Sequence, residues 1–476
     1  MKKLNKQSHY TPPRPDRIIQ FGAGNFLRGF IDWIVAHLNQ KTEFNGNVVV
    51  IKPTPTGNYK ALRDQDGLFH TVLSGFRDGA AFEEIKLIDC ISTIIHPYDE
   101  FSSFLRSAEI PDLNIIISNT TESGINFLEE ANNPHEAAST FPGKLTQWLH
   151  HRFEVLGNNN SGCTILPCEL IEDNAQRLQD CILQYANHWE LDESFKVWLN
   201  QENQFCNTLV DRIVTGYPQK TAALIEERIG YHDGLLVAGE YYHNWVIEGP
   251  TKLLQTLPFD QTDLGIQLVD DLQIHRNIKV RILNGLHTAM VPVGYLNGQR
   301  TVGEVMQDTR MIKYLEELLT TEILPTIKYN EENLRSYADA ILERFRNPAI
   351  QHNLSSIALN SISKFSTRLL PTLLDHSART QSNPPHICRA LAALLLFYRG
   401  SWEDQSLPVQ DDADICAFIL NEWQMHEEGK QSLESTVHTL LSQKSFWHED
   451  LSLLKDLQFD MVDMIKSILH QHDIFA

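Results

Sequence analysis

Apolar and polar residues follow one another along the first part of the chain in an order that predicts strands and helices in turn. Residues 17–21, of which three are apolar, predict a short buried strand that ends at Gly22-Ala23-Gly24, and apolar residues then recur at helical spacing from Leu27 to Leu38. A second apolar run occupies residues 47–51. Strand, glycine turn, helix and strand together make a βαβ unit, which predicts a parallel sheet.

The pattern changes after about residue 270. Before that point, further buried strands are predicted at residues 113–117, 163–167 and 266–269, with helices at residues 144–155 and 174–189. Beyond it strand-like runs become scarce and amphipathic segments dominate, for example at residues 390–397 and 451–469. The sequence therefore predicts an α/β domain over residues 1–270, followed by a mostly α-helical domain over residues 271–476.

The charge balance excludes several classes of partner. Forty basic and 61 acidic residues give a formal charge of −21, which leaves too little positive charge for nucleic acid or for an anionic membrane surface. Seven cysteines are an odd and sparse set for a disulfide framework, and neither a signal peptide nor a membrane-spanning run is visible. We therefore expect a soluble cytoplasmic protein, whose oligomeric state the sequence leaves open.

The turn at Gly22 and Gly24 carries part of a dinucleotide fingerprint. The first glycine allows a tight turn, and the second lets the backbone approach a pyrophosphate at the start of a helix. The usual third glycine is missing, since position 27 is leucine and Gly29 comes two residues later. The second strand also lacks a ribose-binding acid and is followed by Lys52. A turn that binds nothing, or one that binds another adenosine-containing cofactor such as a methyl donor, stays open at this point.

A second informative segment contains Lys279, Asn284 and His287. On an α-helix these residues would lie within about 140° of one another around the axis. A buried lysine of lowered pKa can exchange a proton with a hydroxyl or ketone oxygen, and an amide and an imidazole can donate hydrogen bonds to that oxygen. Surface or capping roles are the alternative, and spacing alone favours them.

The residues around the glycine turn, Phe21-Gly22-Ala23-Gly24-Asn25-Phe26-Leu27-Arg28, resemble those of the polyol-specific long-chain dehydrogenases, the mannitol dehydrogenase family. In that family an aromatic residue and an arginine stand where the third glycine is missing. The likeness continues through nearly the whole chain, at residues 65–69, 207–213, 279–287, 344–348 and 364. Within the family, the members that act on sugar acids are the most similar, at residues 18–22, 48–53, 118–122, 167–171 and 209–218.

The resemblance implies a Rossmann-type domain that binds NAD, and reversible hydride transfer between NAD(H) and a sugar acid, D-altronate to D-tagaturonate, in hexuronate breakdown. It makes Lys279 the general acid/base, makes Asn284 and His287 the groups that polarise the reacting oxygen, and places Asn207 near the reacting carbon. It implies cofactor binding by the residues of the first strand and turn: Ile19, Gln20, Phe21, Gly22, Ala23, Gly24, Asn25, Phe26, Leu27 and Arg28.

The substrate end differs from that of polyol-oxidising relatives, which carry an arginine where this chain has Ser356. A carboxylate needs a cation, and Lys364, Arg368 and Arg346 are the candidates, although surface ion pairs are equally plausible for the two arginines. Glu122 is a candidate neighbour of the nicotinamide or a helix cap.

The resemblance also implies that no metal is needed, and Cys163 and Cys168 are interpreted as core residues. The preference for NAD over NADP rests on the resemblance. Two alternatives remain: a fructuronate or mannitol dehydrogenase of the same family, and a non-catalytic dinucleotide-binding scaffold. Because the sugar acid and the dinucleotide are both anions, their site has to be locally positive within an acidic protein.

Overall fold

A computed structural model describes residues 1–57, 59–77, 80–121, 123–157, 161–348, 352–403 and 405–476 of the chain. The chain divides into two compact units, Met1–Leu272 and Gln273–Ala476. The division lies close to the one expected from the sequence, and the assignment of cofactor binding to the first unit and catalysis to the second stays a prediction.

The first unit contains nearly all of the strands. They are β1 (Lys2–Lys3), β2 (Asp16–Phe21), β3 (Asn47–Ile51), β4 (Phe69–Arg77), β5 (Ala80–Ile88), β6 (Ile91–Ile95), β7 (Ile115–Ser118), β8 (Thr164–Pro167), β9 (Gln204–Phe205), β10 (Thr208–Asp211), β11 (Val214–Gly216), β12 (Tyr231–His232), β13 (Val237–Glu240), β14 (Asn244–Glu248) and β15 (Gln267–Val269).

Most helices of this unit lie between successive strands, although β4, β5 and β6 follow one another without a helix. The helices are α1 (Asn25–Gly29), α2 (Ile31–Lys41), α3 (Lys60–Asp64), α4 (Phe101–Ser107), α5 (Phe141–Leu156), α6 (Asn174–His188), α7 (Glu193–Gln201), α8 (Ala222–Ile229) and α9 (Leu253–Thr256), with a 3-10 turn at Phe259–Gln261.

The main sheet of the described residues is parallel, in the order β6-β3-β2-β7-β8-β9. This is the 3-2-1-4-5-6 order of doubly wound dinucleotide-binding folds, in which the order of the strands reverses between the first and fourth strands. Here that switch point lies between β2 and β7. The predicted fold class, a Rossmann-type α/β domain followed by a mostly helical one, is confirmed.

Both faces of the parallel sheet are buried, which explains why apolar residues occupy neighbouring positions of its strands rather than alternate ones. Ile18 and Val48 pack into one core, whereas their neighbours Ile19 and Val49 pack into another on the opposite face. Successive side chains of a strand point to opposite faces, so each strand serves both cores.

Two predictions from the apolar pattern need correction. The single helix expected from Leu27 to Leu38 is interrupted at Phe30, whose φ of −124° and ψ of −71° separate α1 from α2. The strand expected at residues 266–269 is β15, but it belongs to the separate sheet β10-β14-β15. Another sheet, β11-β13-β4-β5, contains the two long strands β4 and β5, which the sequence pattern did not predict.

The described residues of the second unit are mainly helical, with the short strand pair β16 (Ser401–Trp402) and β17 (Gln405–Ser406) and an isolated bridge between Thr301 and Asn353. Its helices are α10 (Gln273–Lys279), α11 (Gly285–Leu296), α12 (Val302–Val305), α13 (Thr309–Glu317), α14 (Glu331–Phe345), α15 (Leu354–Ile357), α16 (Ser361–Arg368), α17 (Leu370–Thr380), α18 (Pro385–Phe397), α19 (Ala413–Glu427), α20 (Leu433–Leu441), α21 (Lys444–Trp447) and α22 (Leu457–Gln471).

Shorter irregular turns complete this unit. Wide π-helical turns occupy Val280–Asn284 and Leu318–Ile323, and 3-10 turns occupy Leu324–Thr326 and Leu451–Leu453. The long helix expected at residues 451–469 therefore begins only at Leu457. Among the helices of the described residues, none combines the length and apolar composition needed to cross a lipid bilayer.

Candidate active-site residues

The glycine turn lies at the carboxyl end of β2, next to the switch point of the parallel sheet. Gly22 has a φ of +114°, which L side chains rarely adopt, and its N–H donates to the carbonyl of Ile51 at 2.9 Å. A Cβ added to Gly24 would meet no atom within 4 Å. The turn therefore exposes backbone at the position where a dinucleotide fold brings its pyrophosphate.

Gly29 takes the packing role of the missing third glycine. A Cβ at this position would lie 2.9 Å from Val214 Cγ1 and 3.1 Å from Val237 Cγ1, closer than the usual 3.5–4.0 Å carbon contact. Helix α1 can approach β11 and β13 only because residue 29 has no side chain. Gly29 thus supplies the close helix packing that the third glycine of the fingerprint usually supplies, two positions later in the chain.

Arg28 stabilises the glycine turn through hydrogen bonds. Its guanidinium donates to the carbonyl of Ala23 at 3.2 Å, to the carbonyl of Leu235 at 2.6 Å and to Asn25 Oδ1 at 2.8 Å. Tyr59 Oη accepts a hydrogen bond from the Ala23 N–H at 3.0 Å. The resemblance places Arg28 among the cofactor-binding residues, and these contacts give it a structural role as well. Tyr59 had not been identified from the sequence because it is far from the turn along the chain.

A cavity of about 460 Å³ opens at the carboxyl ends of β3 and β6, beside Tyr59. Lys52 stands there in place of a ribose-binding acid: its Nζ lies 2.6 Å from His96 Nε2 and donates to the Pro55 carbonyl at 3.2 Å. Arg63 also lines the cavity and pairs with Glu100 at 3.2 Å. The cavity lies next to the glycine turn, on the side of β3, where the adenosine half of a dinucleotide lies in folds with this strand order.

These observations test whether the first unit fits a dinucleotide, and it does. The strand order, the positive φ of Gly22 and the open side of Gly24 form the cradle that a pyrophosphate needs. Asn207, the further predicted site residue, follows β9. Its Oδ1 accepts from the N–H of Ala175 at 3.0 Å, so it caps α6, and its Nδ2 lies 3.4 Å from Glu248 Oε2.

Lys279 and Asn284 lie at either end of a wide turn inside one continuous helix. Helix α10 ends at Lys279, a π-helical segment runs over Val280–Asn284, and α11 begins at Gly285, whose N–H donates to the carbonyl of Val280, five residues back. A bond between residues five apart places them about one turn apart on the same face, whereas an α-helix would separate them by about 140°.

The π turn therefore improves on the arrangement expected from the sequence. It brings Lys279 above Asn284, and His287 follows three residues later, on the neighbouring part of that face. Such single wide turns occur frequently at functional sites. Lys279, Asn284 and His287 are all half-buried. A proton-exchanging group and two hydrogen-bonding groups on one helix face can serve one oxygen atom.

His287 is enclosed by two further rings. Its ring centroid lies 4.5 Å from that of Phe345 and 5.2 Å from that of His352, the latter nearly perpendicular. Burial, assisted by the charge of Arg344, lowers the pKa of His352. The lowered pKa favours the neutral form of His352, which places no charge beside the ring of His287. No local sequence signal marks His352, because its proximity comes from the packing of distant segments.

Two of the three candidate cations lie on α16, which packs against α11. Arg368 approaches the hydroxyl of Thr288, next to His287, at 3.5 Å, and burial lowers its pKa. Lys364 donates to the Ile357 carbonyl at 2.8 Å, and burial together with the charge of Arg368 lowers its pKa. Two partly buried cations are thus brought near the helix that carries Asn284 and His287.

The third cation, Arg346, is placed differently. It lies at the end of α14, is 44% exposed and forms an ion pair with Glu316 at 3.4 Å. Arg346 therefore takes the surface ion-pair role that is its alternative interpretation, and Lys364 and Arg368 stay the predicted carboxylate ligands. Ser356 is exposed and donates to the Asn353 carbonyl at 2.7 Å. Glu122 lies outside the described residues.

The cysteines behave as core residues. Cys163 and Cys168 are buried and unbridged, and burial raises the pKa of both thiols, that of Cys163 to about 11. Over the part of the chain that the structure describes, no group of three or more His, Cys, Asp or Glu side chains is arranged to hold a metal ion.

Comparison with known proteins finds two family profiles along the chain. The Mannitol dehydrogenase Rossmann domain matches residues 16–261, and the Mannitol dehydrogenase C-terminal domain matches residues 271–469. Together they cover most of both compact units.

Relatives of similar length share about two fifths of their residues with this chain. Altronate oxidoreductase from Yersinia enterocolitica is 42% identical over 471 residues, 98% of either chain. The enzyme of the same name from Halalkalibacterium halodurans is 40% identical over 96% of this chain and 91% of its own, and that from Escherichia coli is 40% identical over 99% and 98%.

Two solved structures share the fold. A substrate-free D-sorbitol dehydrogenase superposes with a TM-score of 0.78 at 18% identity, covering 99% of both chains. Pseudomonas fluorescens mannitol 2-dehydrogenase, in a ternary complex with NAD and D-mannitol, superposes with a TM-score of 0.68 at 20% identity, covering 99% of this chain and 97% of its own.

Proposed function

The chain belongs to the mannitol dehydrogenase family, and from that premise we propose that it interconverts D-altronate and the keto acid D-tagaturonate with NAD(H). The observation that carries the substrate is the 40–42% identity with altronate oxidoreductases over nearly the full length of both chains. The glycine turn and the order of the parallel sheet support the cofactor.

The reaction needs one hydride and one proton. When bound, NADH supplies the hydride to the carbonyl carbon, and NAD accepts it in the opposite direction. Protonated Lys279 gives its proton to the oxygen of the reduced carbonyl, and neutral Lys279 takes a proton from the hydroxyl in oxidation. Asn284 and His287 donate hydrogen bonds to that oxygen as negative charge develops on it. The π turn supports these roles by placing Lys279 and Asn284 on one helix face.

The substrate carboxylate distinguishes a sugar acid from a polyol. We assign it to Arg368 and Lys364, because both are partly buried on α16, beside the helix that carries Asn284. A planar guanidinium matches a carboxylate in geometry as well as in charge. These cations also provide the local positive charge that an anionic substrate needs in a protein of formal charge −21.

Initial rates test the substrate assignment. With NADH fixed, we expect tagaturonate to give a higher kcat/KM than fructuronate or fructose, and NADH to be preferred over NADPH. A higher rate with fructuronate or fructose would point to the other dehydrogenases of the family. NADH binding without turnover on any of the three would favour a non-catalytic scaffold.

Replacing Lys279 by Ala tests the chemical role. We expect kcat to fall by about 10²–10⁴, the usual contribution of a general acid or base, while the Kd for NADH changes little. Lys455→Ala is the matched control, because Lys455 is 82% exposed and pairs only loosely with Asp456. Near-normal turnover of the Lys279 variant would contradict the mechanism.

The cytoplasm remains the expected compartment, supported by cysteines that form no disulfide in the described residues and are mostly buried. The sugar acid is the proposed partner. Neither nucleic acid nor an anionic membrane is expected, given the acidic charge.

A further inference from the structure

Asp32 is a buried carboxyl group with an unusual environment. It is the second residue of α2 and is fully buried. Within the described residues, neither of its carboxyl oxygens accepts a hydrogen bond. Burial raises the pKa of Asp32 to about 7, although the charge of Arg28 and the nearby Gln20 amide act in the opposite direction. Buried polar groups are normally satisfied, so this one calls for an explanation.

The two groups that act on this carboxyl also hold the glycine turn. Arg28 donates to the carbonyl of Ala23, and Gln20 Nε2 donates to the carbonyl of Gly22 at 3.1 Å. Asp32 in turn is the charge that most favours the protonated form of Arg28 against burial. The carboxyl and the turn therefore share Arg28 as a compensating charge.

The other titratable groups around α2 have partners of their own. Cys90 donates its thiol to the main-chain carbonyl of Asp32 at 3.5 Å, and burial keeps its pKa far above neutrality. Asp233 pairs with His70 at 2.9 Å. On β5, Glu84 accepts from Trp33 at 2.7 Å. Tyr59 and Asp89 act on Arg28 and Cys90 respectively, and Lys86 and His37 face Glu84. Arg212 donates to the carbonyl of Gly29 at 2.7 Å and stacks on the ring of Trp33, against which His243 also packs.

We propose that Asp32 takes up a proton when the diphosphate of the dinucleotide binds at the glycine turn, which makes it a positioning residue whose ionisation is coupled to cofactor affinity. The inference rests on the proposed function for the presence of the dinucleotide. The bound anion adds negative charge beside Arg28 and so disfavours a second negative charge on Asp32. The proton comes from solvent, and the carboxylate becomes a neutral carboxylic acid.

The coupling has a definite sign. At pH 6 and below, about one unit under its pKa of about 7, Asp32 is almost fully protonated, so affinity for NADH is at its highest and changes little with pH. Above pH 7 binding requires proton uptake, and the Kd rises by up to about tenfold per pH unit until the pKa of the bound state is passed. For a rise of about one pKa unit on binding, uptake at pH 7.5 is about half a proton per NADH.

Isothermal titration calorimetry of NADH binding measures this uptake directly, without turnover. Titrations of the full chain at pH 7.5 in phosphate and in Tris, whose ionisation enthalpies differ, give the number of protons from the difference in observed heat. We expect about half a proton for the wild type, and none for Asp32→Asn, which imitates the neutral carboxyl. Glu84→Gln is the control on β5, against the same helix, and should keep the uptake.

Asp32→Asn should also bind NADH about tenfold more tightly than the wild type at pH 8.5 and equally well at pH 6. A merely structural role predicts weaker binding at both values. Wild-type binding with no proton uptake overturns the inference whether or not the variant folds, and so does uptake that survives in Asp32→Asn. Failure of the wild type to bind NADH at all would instead refute the proposed function.

Discussion

Gly29 of α1 and Gly24 of the preceding turn offer a sharp test of the fold and the cofactor site together. Gly29→Ala adds a methyl group where α1 meets the sheet, and Gly24→Ala adds the same group on the open side of the turn. A Cβ at residue 29 would lie 2.9 Å from one methyl of Val214 and 3.1 Å from a methyl of Val237, whereas a Cβ at residue 24 would have no neighbour within 4 Å. We expect the first change to affect stability and the second to affect ligand binding.

The magnitude follows from which atoms have to move. The two valines lie on β11 and at the start of β13, and β-branched side chains have little rotamer freedom. Overpacking of this kind costs about 1–3 kcal/mol, or a fall of roughly 2–10 °C in the Tm of a unit of this size. Gly24 has a φ of −64° and a ψ of 168°, which alanine adopts freely, so its replacement should raise stability by up to about 1 kcal/mol.

Thermal unfolding and NADH fluorescence titration read out the two effects separately. Gly29→Ala should lower the first unfolding transition and leave residual NADH binding. Gly24→Ala should keep or raise that transition while weakening NADH binding by about tenfold, because its methyl group obstructs the approach of the pyrophosphate. An unchanged Tm for Gly29→Ala, or unchanged NADH affinity for Gly24→Ala, would refute this account of the turn.

The remaining predictions concern the second unit. Arg368→Ala should raise the KM for tagaturonate by about 10- to 100-fold, from the loss of a charged hydrogen bond, and leave the Kd for NADH unchanged; Arg346→Ala, by contrast, should change either value less than about twofold, as befits a surface ion pair. Glu322 is buried and accepts hydrogen bonds from the backbone N–H and the ring of His386, both at 2.7 Å. Glu322→Ala should lower the free energy of unfolding, measured in urea, by about 3 kcal/mol. Although burial lowers the pKa of His386, Glu322 raises it overall, so the stability lost in His386→Gln should be largest below pH 6.5 and shrink as pH rises through the raised pKa.

Most of the fold prediction came from the pattern of apolar and polar residues along the chain. The mostly apolar runs at residues 17–21, 47–51, 113–117 and 163–167 all correspond to strands of the parallel sheet, because a strand buried on both faces carries apolar residues at neighbouring positions rather than at alternate ones. Strands β4 and β5 escaped prediction. Several residues of this pair are only partly buried, so their pattern does not separate them from loops.

What the sequence determined by itself is the order of the elements, the glycine turn and the identity of the proposed catalytic residues. Tertiary structure decided how they are arranged. The packing of Gly29 against Val214 and the contact of His287 with His352 join segments that are distant in the chain, and composition does not specify such contacts. The π turn between Lys279 and Asn284 depends on a backbone hydrogen bond between residues five apart. A hydrophobic pattern of period 3.6 does not reveal such a bond. The formal charge of −21 likewise follows from the sequence alone. Only folding buries Asp32 beside Arg28, where the pKa of its carboxyl group depends on burial and on the neighbouring charge.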